Sequence, residues 1–600
     1  MEQGDDSRGS NFDALPHLRA NMAFGGLGEE VLDELHKCLL PLSLVAGTVL
    51  IEEGDPPGDA YIIVAGRLTA STLTSDGGSV IVGDLGEGDL VGEMSLITGS
   101  NRTATVTAIR DCTLLRLSED DFNRTVVSHP MALFDVARTV AGRLDSLIHG
   151  RRPGSVVGVA AVVPCGENSP HASFAADLAE LLAINARAAV VDQARVVVDL
   201  GVEPSDDTIT SYLHQLELEN DLTLLVADEE GTDWNRRCVR QADVTLLVGR
   251  RNSLVSNETH AMISNDDGPI GQRHLVLIYD DDDVPTDTSA LLEAWSADRY
   301  HHFRDGSRPD LERLARVLTG KSVGLVLGGG GARGFAHFGV IKAMIEANIP
   351  IDHIGGTSFG SSVAAAYAIG WEWDKMVDLG RWAMADRGSL IDFSFPAVAL
   401  ANGQRLTSRI REVFDTTCID DLWTDFFCMS TDLTRSDAYV HRTGLVWKAV
   451  RASVAIPGIL PPVRSSEGHV LVDGGVINNL PTDVMRDVFD PHTIIAVDLR
   501  ADANIPVGDL GDDGIVSGWR ALARRVVPWK EPMELPRMID ILARSSAVTG
   551  SDNAAYADLV LRPPVGDFGI LEFASYERII EAGYQDAVDV LEAWDGAPGI

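Results

Sequence analysis

The chain has 600 residues, 45% of them hydrophobic, which is enough apolar content to fill several cores of ordinary domain size. Acidic residues outnumber basic ones 89 to 49, a formal net charge of −40; a field of that sign argues against nucleic acid as a partner and repels anionic lipid wherever no local basic patch intervenes. No run of about 18 uninterrupted apolar residues is present to cross a bilayer, the start lacks a signal-peptide pattern, and the cysteines at 38, 112, 165, 238, 418 and 428 show no C-x-x-C spacing. The expectation is a cytoplasmic protein with reduced, mostly buried thiols, which reaches any lipid from the water side as a peripheral protein.

Residues 1–22 read as a flexible polar tail. From 23 to 149 the sequence turns to short apolar runs punctuated by glycine (GTVLIEEGD, AYIIVAGRL, VIVGDLGEGDLVGEMSL, TATVTAIRDCTLLRL), a spacing that predicts an antiparallel β jelly roll. A helix from Met131 to Ile148, with Leu133, Val136, Val140, Leu144 and Leu147 on one face, is predicted to close over it. Gly92-Glu93-Met94-Ser95-Leu96 followed by Asn101-Arg102-Thr103-Ala104-Thr105 resembles the phosphate-binding cassette of cyclic nucleotide-binding domains. The resemblance implies that Glu93 accepts from a ribose 2′-OH and Arg102 meets the cyclic phosphate, with Gly92 opening the short helix beside it. Thr103 could bond a guanine amino group or the phosphate, so cAMP and cGMP both stay open as the regulatory ligand. The plainer alternative is a roll that kept its fold and lost its ligand.

Residues 150–155, Gly-Arg-Arg-Pro-Gly-Ser, are a linker by composition. Between 156 and 319, VVGVAAVV, AAVVD, LTLLVAD, VTLLVG and HLVLIYD read as continuous apolar strands alternating with helices, which predicts a parallel-sheet α/β domain covered on both faces. Its rhythm is similar to the P-loop ATPases, yet PCGENSPHASFA after the first strand has no G-K-[ST], so a structural or coupling role is expected. The acidic run Asp280 to Asp283 reads as a solvated turn.

The stretch 323–360, VGLVLGGGGARGFAHFGVIKAMIEANIPIDHIGGTSFG, reads as strand, glycine loop, helix, strand and a second tight turn. Glycines at a helix start let the backbone approach an anion closely, where unpartnered amides and the helix dipole favour negative charge. Gly329-Gly330-Gly331-Ala332-Arg333-Gly334 also fits a dinucleotide fingerprint, but the second strand ends in a serine turn, not in the acidic residue that site requires. Gly356-Thr357-Ser358-Phe359-Gly360 fits G-x-S-x-G, which stands a serine on a sharp strand-to-helix turn. Downstream, Asp473 follows the apolar run Val470–Val472 and precedes Gly474-Gly475.

These three motifs, in this order, resemble the patatin-like phospholipases over about residues 320–500. The resemblance implies an α/β hydrolase domain with a Ser–Asp dyad and neither catalytic histidine nor metal. Ser358 would attack an ester carbonyl, Asp473 would take its proton, and the amides of Gly329, Gly330 and Gly331 would hold the oxyanion, roughly 3–4 kcal/mol for a well-placed donor. Hydrogen bonds from loop amides are expected to keep Asp473 ionised. Arg333 either meets a substrate phosphate or ties the glycine loop to backbone, and Asn478 and Asn479 are expected to brace the Asp473 turn. ASVAIPGILPPV, residues 452–463, walls an acyl pocket or packs. After Arg500 the chain is expected to be a helical extension, 501–600, whose amphipathic stretches LPRMIDILARSSAVTG and YERIIEAGYQDAVDVLEAW are expected to cover the catalytic domain; the alternative is that Trp519, Trp529 and Leu535 dip into lipid.

The order of roll, α/β middle and patatin-like domain resembles the neuropathy target esterase group. That implies a phospholipid or lysophospholipid substrate and no catalytic cofactor; regulation by cyclic nucleotide is a hypothesis from domain order alone and is not carried over from the family. Two alternatives stand beside it: a catalytically silent nucleotide sensor, and an α/β-hydrolase triad using His492. Nothing in the sequence sets the oligomeric state, and a homo-oligomer is compatible with it.

Overall fold

A computed structural model describes residues 14–596, except 139–156, 255–270, 501–552 and interruptions of five residues or fewer. The sequence-predicted tail, the linker, most of the closing helix and Trp519, Trp529 and Leu535 therefore lie outside the described residues. The chain divides into two compact units, residues 1–283 with 290–320, and residues 284–289 with 321–600.

In the first unit, two four-stranded antiparallel sheets form the roll. One joins Leu40–Leu44, Cys112–Leu117, Ala60–Ala65 and Leu90–Val91; the other joins Val49–Ile51, Thr105–Ala108, Leu68–Leu73 and Ser79–Leu85. Side chains alternate across a strand, so Ala60, Ile62 and Val64 enter one buried cluster with Leu115 and Leu117, while Ile63 enters another with Leu68 and Leu114. The α/β segment that follows has six parallel strands in the order Ala188–Val191, Leu222–Val226, Val159–Pro164, Val244–Arg250, Gln272–Tyr279, Arg299–Arg304. The three central strands Leu222–Val226, Val159–Pro164 and Val244–Arg250 are buried along nearly their whole length and mostly apolar, as a sheet between two helical layers demands, while the edge strand Arg299–Arg304 is polar. The turn where a P-loop would cradle phosphate is filled: a Cβ on Gly166 would lie 2.1 Å from the Ser253 carbonyl oxygen.

The second unit is one mixed sheet. Its strands, in chain order, are β1 (Val323–Leu327), β2 (His353–Thr357), β3 (Asp425–Asp432), β4 (Asp437–His441), β5 (Val463–Arg464), β6 (Val470–Asp473), β7 (Thr493–Val497) and β8 (Leu559–Leu561). They lie in the order β5-β6-β3-β2-β1-β7-β8, with β4 also paired to β3. The central strands β3, β2, β1 and β7 run parallel, so their carboxyl ends, where the glycine loop and the serine turn begin, face the same edge. The helices are α1 (Ala336–Glu346), α2 (Phe359–Ala368), α3 (Trp373–Arg381), α4 (Gln404–Phe414), α5 (Val446–Ser453), α6 (Thr482–Phe489) and α7 (Tyr576–Glu592).

Within the expected helical extension 501–600, β8 is a strand the sequence does not signal, while α7 is the amphipathic helix read at its end. Strand β8 adds to β7 in parallel, and α7 lies along α1. Glycine makes that crossing close: a Cβ on Gly339 would lie 2.1 Å from the Ile580 oxygen, and one on Gly583 would lie 2.3 Å from the Ala336 oxygen. Ile579, Ala587 and Leu591 are buried there, each large aliphatic contributing about 1.5–3 kcal/mol. Among the described residues, no helix is long and apolar enough to cross a membrane.

Candidate active site

Ser358 stands between β2 and α2 at φ 54°, ψ −127°, a left-handed-side conformation that costs a non-glycine residue about 1–3 kcal/mol. Flanking glycines make room for the turn, since a Cβ on Gly356 or Gly360 would come within 2.6 Å or 2.3 Å of the Leu327 oxygen. Two hydroxyls hold the strained residue from either side. The Ser358 amide donates to Ser453 Oγ at 2.8 Å, and Ser361 Oγ donates to the Ser358 carbonyl at 2.6 Å. Neither contact is signalled by the motifs; Ser453, at the end of α5, is 95 residues away in the chain.

Asp473 ends β6, where it is paired with Ser430 of β3. Ser358 Oγ donates to Asp473 Oδ2 at 2.8 Å, and the Gly475 amide donates to Oδ1 at 2.8 Å. Its backbone is pinned too, with its amide on the Ala455 carbonyl at 3.0 Å and its carbonyl accepting from Thr431 Oγ1 at 3.0 Å. Gly474 is obligatory, because a Cβ there would sit 2.6 Å from the Met429 oxygen. Burial pushes the Asp473 carboxyl up to about 6, and the Gly475 amide and Ser358 hydroxyl pull the other way without cancelling it. Loop amides therefore do not hold this acid at an ordinary carboxylate value, as the sequence suggests; only one reaches it, and desolvation dominates. At pH 7 the carboxylate form still exceeds the acid by about ten to one.

The glycine loop lies against the nucleophile: a Cβ on Gly329 would be 3.1 Å from Ser358 Cβ. Of the three expected oxyanion donors, Gly329 is corrected. Its amide is already given to the Asn479 carbonyl at 3.2 Å, and Asn479 Nδ2 returns a bond to the Gly329 oxygen at 3.2 Å. Gly330 and Gly331 have no acceptor among the described residues. So Asn479 braces the glycine loop, while Asn478 fixes the neighbouring turn through Asp483 at 2.8 Å. Arg333 points away from a substrate role: Nε donates to the Phe568 oxygen at 2.7 Å and Nη2 to Gly566 at 2.9 Å. Gly334 leaves space for the Phe359 ring, which a Cβ would meet at 2.3 Å.

The histidines take no part. His337 is buried and held down at about 4, its Nε2 on the Gly328 oxygen at 2.8 Å. His353 binds Asp425, and His441 binds Ser430. His492 is exposed and precedes β7 at the edge opposite the glycine loop, since Thr493 pairs with Val323 while Leu327 pairs with Val497. A triad through His492 is ruled out by that register.

A small apolar cavity of about 40 Å³ lies beside the nucleophile's helix, lined by Phe359 and Val363 of α2, Met376 of α3, Met384, and Ile410 and Phe414 of α4. Residues 452–463 are not in its wall; Val454, Ile459 and Leu460 pack into the core instead.

In the roll, Gly92 (φ 84°) turns the chain into the helix Glu93–Thr98, and Glu93 and Arg102 are both buried. Three of the guanidinium's five N–H groups are given to the protein itself: Nη1 donates to the Gly92 oxygen and to Ser95 Oγ, both at 2.7 Å, and Nη2 to the Asp59 oxygen at 2.8 Å. Thr103 is exposed.

Family models match three segments: a cyclic nucleotide-binding domain at 41–129, the Neuropathy Target Esterase family P-loop like domain at 157–307, and a patatin-like phospholipase at 325–486. Patatin-like phospholipase domain-containing protein 6 of Pongo abelii is 31% identical over 92% of this chain and 44% of its own length. Lysophospholipase NTE1 of Mycosarcoma maydis is 30% identical over 92% of this chain and 34% of its own. The chain thus spans less than half the length of these curated relatives. Among solved structures, the regulatory domain of Toxoplasma gondii PKA with cAMP is 34% identical over 19% of this chain and 43% of that one, with a TM-score of 0.18. With a nucleotide-binding roll, the esterase family's own middle domain and a patatin-like sheet in one order, the chain belongs to the neuropathy target esterase group of patatin-like proteins.

Proposed function

We propose that this chain hydrolyses the carboxylic ester of a phospholipid or lysophospholipid through an acyl-Ser358 intermediate. The observation that carries the reading is the 2.8 Å hydrogen bond from Ser358 Oγ to Asp473 Oδ2, in a pocket from which water is largely excluded. Asp473 takes the hydroxyl proton as Oγ attacks the ester carbonyl. The negative oxygen of the tetrahedral intermediate is received by the Gly330 and Gly331 amides, which spend nothing on internal acceptors. Collapse breaks the ester C–O bond, and the leaving alcohol takes its proton from Asp473. Water, deprotonated by Asp473, then attacks the acyl-serine; the fatty acid leaves and Ser358 regains its proton. The apolar lining of the small cavity along α2 supports an apolar acyl group beside the nucleophile's helix.

A fluorophosphonate probe is expected to label the wild-type chain and not Ser358→Ala, and a lysophospholipid panel is expected to show fatty acid release by wild type alone. Equal labelling of both, or label on another serine, overturns the dyad. Cyclic nucleotide is the ligand class for the roll, with Arg102 and Glu93 as its phosphate and ribose contacts; esterase rate with and without cAMP and cGMP tests regulation. A flat rate with demonstrated binding removes coupling and leaves hydrolysis standing.

A further inference from the structure

Ahead of α4, the described residues 392–395 and 398–402 form a loop in which the usual sorting of side chains is reversed. Phe393, Phe395 and Val398 are 79%, 87% and 71% exposed, while the small residues Ala399 and Ala401 are buried. The backbone is held by regular bonds. Phe393 bridges Ala401, the Ser394 amide donates to Leu400 at 2.9 Å, and the Asn402 amide donates to Asp392 at 3.0 Å. Asp392 in turn accepts from the Gly403 and Arg405 amides. A single exposed Leu or Val on a surface is ordinary; three large apolar side chains on one braced turn are not.

The loop is tied to the dyad by one short stretch. Ser453 holds the Ser358 amide and Ala455 holds the Asp473 amide. A few residues on, the Gly458 and Ile459 carbonyls accept from Leu400 and Ala401 at 2.9 and 3.0 Å. The elements the loop joins, Trp382–Asp386 and α4, also supply Met384 and Ile410 to the apolar cavity.

Charge gives the surface its partner. In a chain of net −40, residues 440–464 hold four cations and no carboxylate; residues 386–412 hold four arginines beside Asp386, Asp392 and Glu412, with Asp392 bonded to amides. Arg405, Arg411, Lys448 and Arg464 are exposed, and Arg387 is shared with Glu412 at 3.1 Å. Apolar side chains standing out beside a basic surface suit the interface of an anionic bilayer, where the rings enter the acyl boundary and the cations meet headgroup phosphates and carboxylates.

We propose that loop 392–402 docks this chain onto an anionic phospholipid surface, with Phe393, Phe395 and Val398 inserted and the α4–α5 cations around them. The proposal gives the lipid-hydrolase reading its approach to substrate but rests on residues outside the dyad, so either can fail alone.

The test uses the full chain carrying Ser358→Ala, so that vesicles are not consumed. Sedimentation with vesicles of phosphatidylcholine containing about a third phosphatidylserine is compared with phosphatidylcholine alone. Binding is expected to favour the anionic vesicles and to weaken with salt. Combined Phe393→Ser, Phe395→Ser and Val398→Ser is expected to lower partition about ten-fold or more, with unchanged thermal melting; in the Ser358 background, it leaves hydrolysis of a short water-soluble ester intact. Arg405→Ala with Arg411→Ala is expected to remove the anionic preference and spare residual binding. Partition equal to the parent in the triple variant overturns the proposal, as does a triple variant that changes only self-association in sedimentation velocity, which would assign the loop to a second copy of the chain.

Discussion

The two ligand pockets of this chain solve the same problem, presenting hydrogen-bond donors to an anion, in opposite ways. Beside Ser358, the donors of the glycine loop are left open: Asn479 takes Gly329 out of service, while Gly330 and Gly331 stay without acceptors. In the roll, the Arg102 guanidinium already gives three N–H groups to Gly92, Ser95 and Asp59. On the proposed reading a transition-state oxyanion would meet a prepared site, whereas a cyclic phosphate would compete with three bonds the guanidinium makes within the protein. The first arrangement favours rate, because nothing reorganises at the moment of reaction. The second favours a switch, because ligand and internal acceptors compete for one cation.

The comparison breaks most sharply at the dyad. Asp473→Asn keeps the side chain's shape but removes the base, and esterase kcat is expected to fall about 10⁴-fold or more. The same variant is expected to be the more stable protein at neutral pH. Folding raises the Asp473 pKa from 3.8 to about 6, so the carboxyl's contribution is favourable below pH 4 and is lost as pH rises through about 6. Thermal melting should show Asp473→Asn stabilised at pH 8, by up to about 3 kcal/mol, and level with wild type at pH 4. Equal melting at both values would mean the carboxylate is not desolvated.

In the roll, Arg102→Ala is expected to weaken cyclic-nucleotide binding about 100-fold in calorimetry, since a buried charge-assisted pair is lost. Ser453→Ala unties the Ser358 amide, and a buried donor left without its partner costs about 1–3 kcal/mol. Esterase kcat should drop about ten-fold or more with KM little changed, and Ser453→Thr should restore part of it. The pH profile follows from the base: kcat/KM is expected to fall about ten-fold per unit below pH 6, where Asp473 is protonated, and to level off above it. The smallest effect separates the pockets most directly. Ser95→Ala frees one Arg102 nitrogen from an internal acceptor, so nucleotide should bind a few-fold more tightly, while the matching loss at Ser358 only impairs.

How far the sequence reaches depends on how local each feature is. Ser358, Asp473 and their glycines are legible because each answers to a short-range constraint: a strained turn, a carbonyl 2–3 Å from where a Cβ would be. The roll and the parallel sheet are legible for the same reason, their side-chain periodicity being set strand by strand. What was not legible is set by partners far along the chain. Asn479 reaches Gly329 across 150 residues and Ser453 reaches Ser358 across 95, and neither residue type announces such a bond. Strand β8, three residues long, carries too little pattern to be seen, and it pairs only because β7 offers an open edge. The upward shift of the Asp473 carboxyl is not legible either, because a count of neighbouring amides says nothing about how much water the fold removes.

The bonds from Arg333 to Gly566 and Phe568, and from the Ala332 amide to Ile570, carry a practical consequence. The segment that props the glycine loop enters the chain some 80 residues after the patatin-like match ends at 486. A fragment trimmed to that match would keep serine and aspartate yet lose the scaffold beneath its oxyanion donors. On the proposed function, the smallest piece expected to turn over substrate runs through Glu592, with β8 and α7 part of what holds the site.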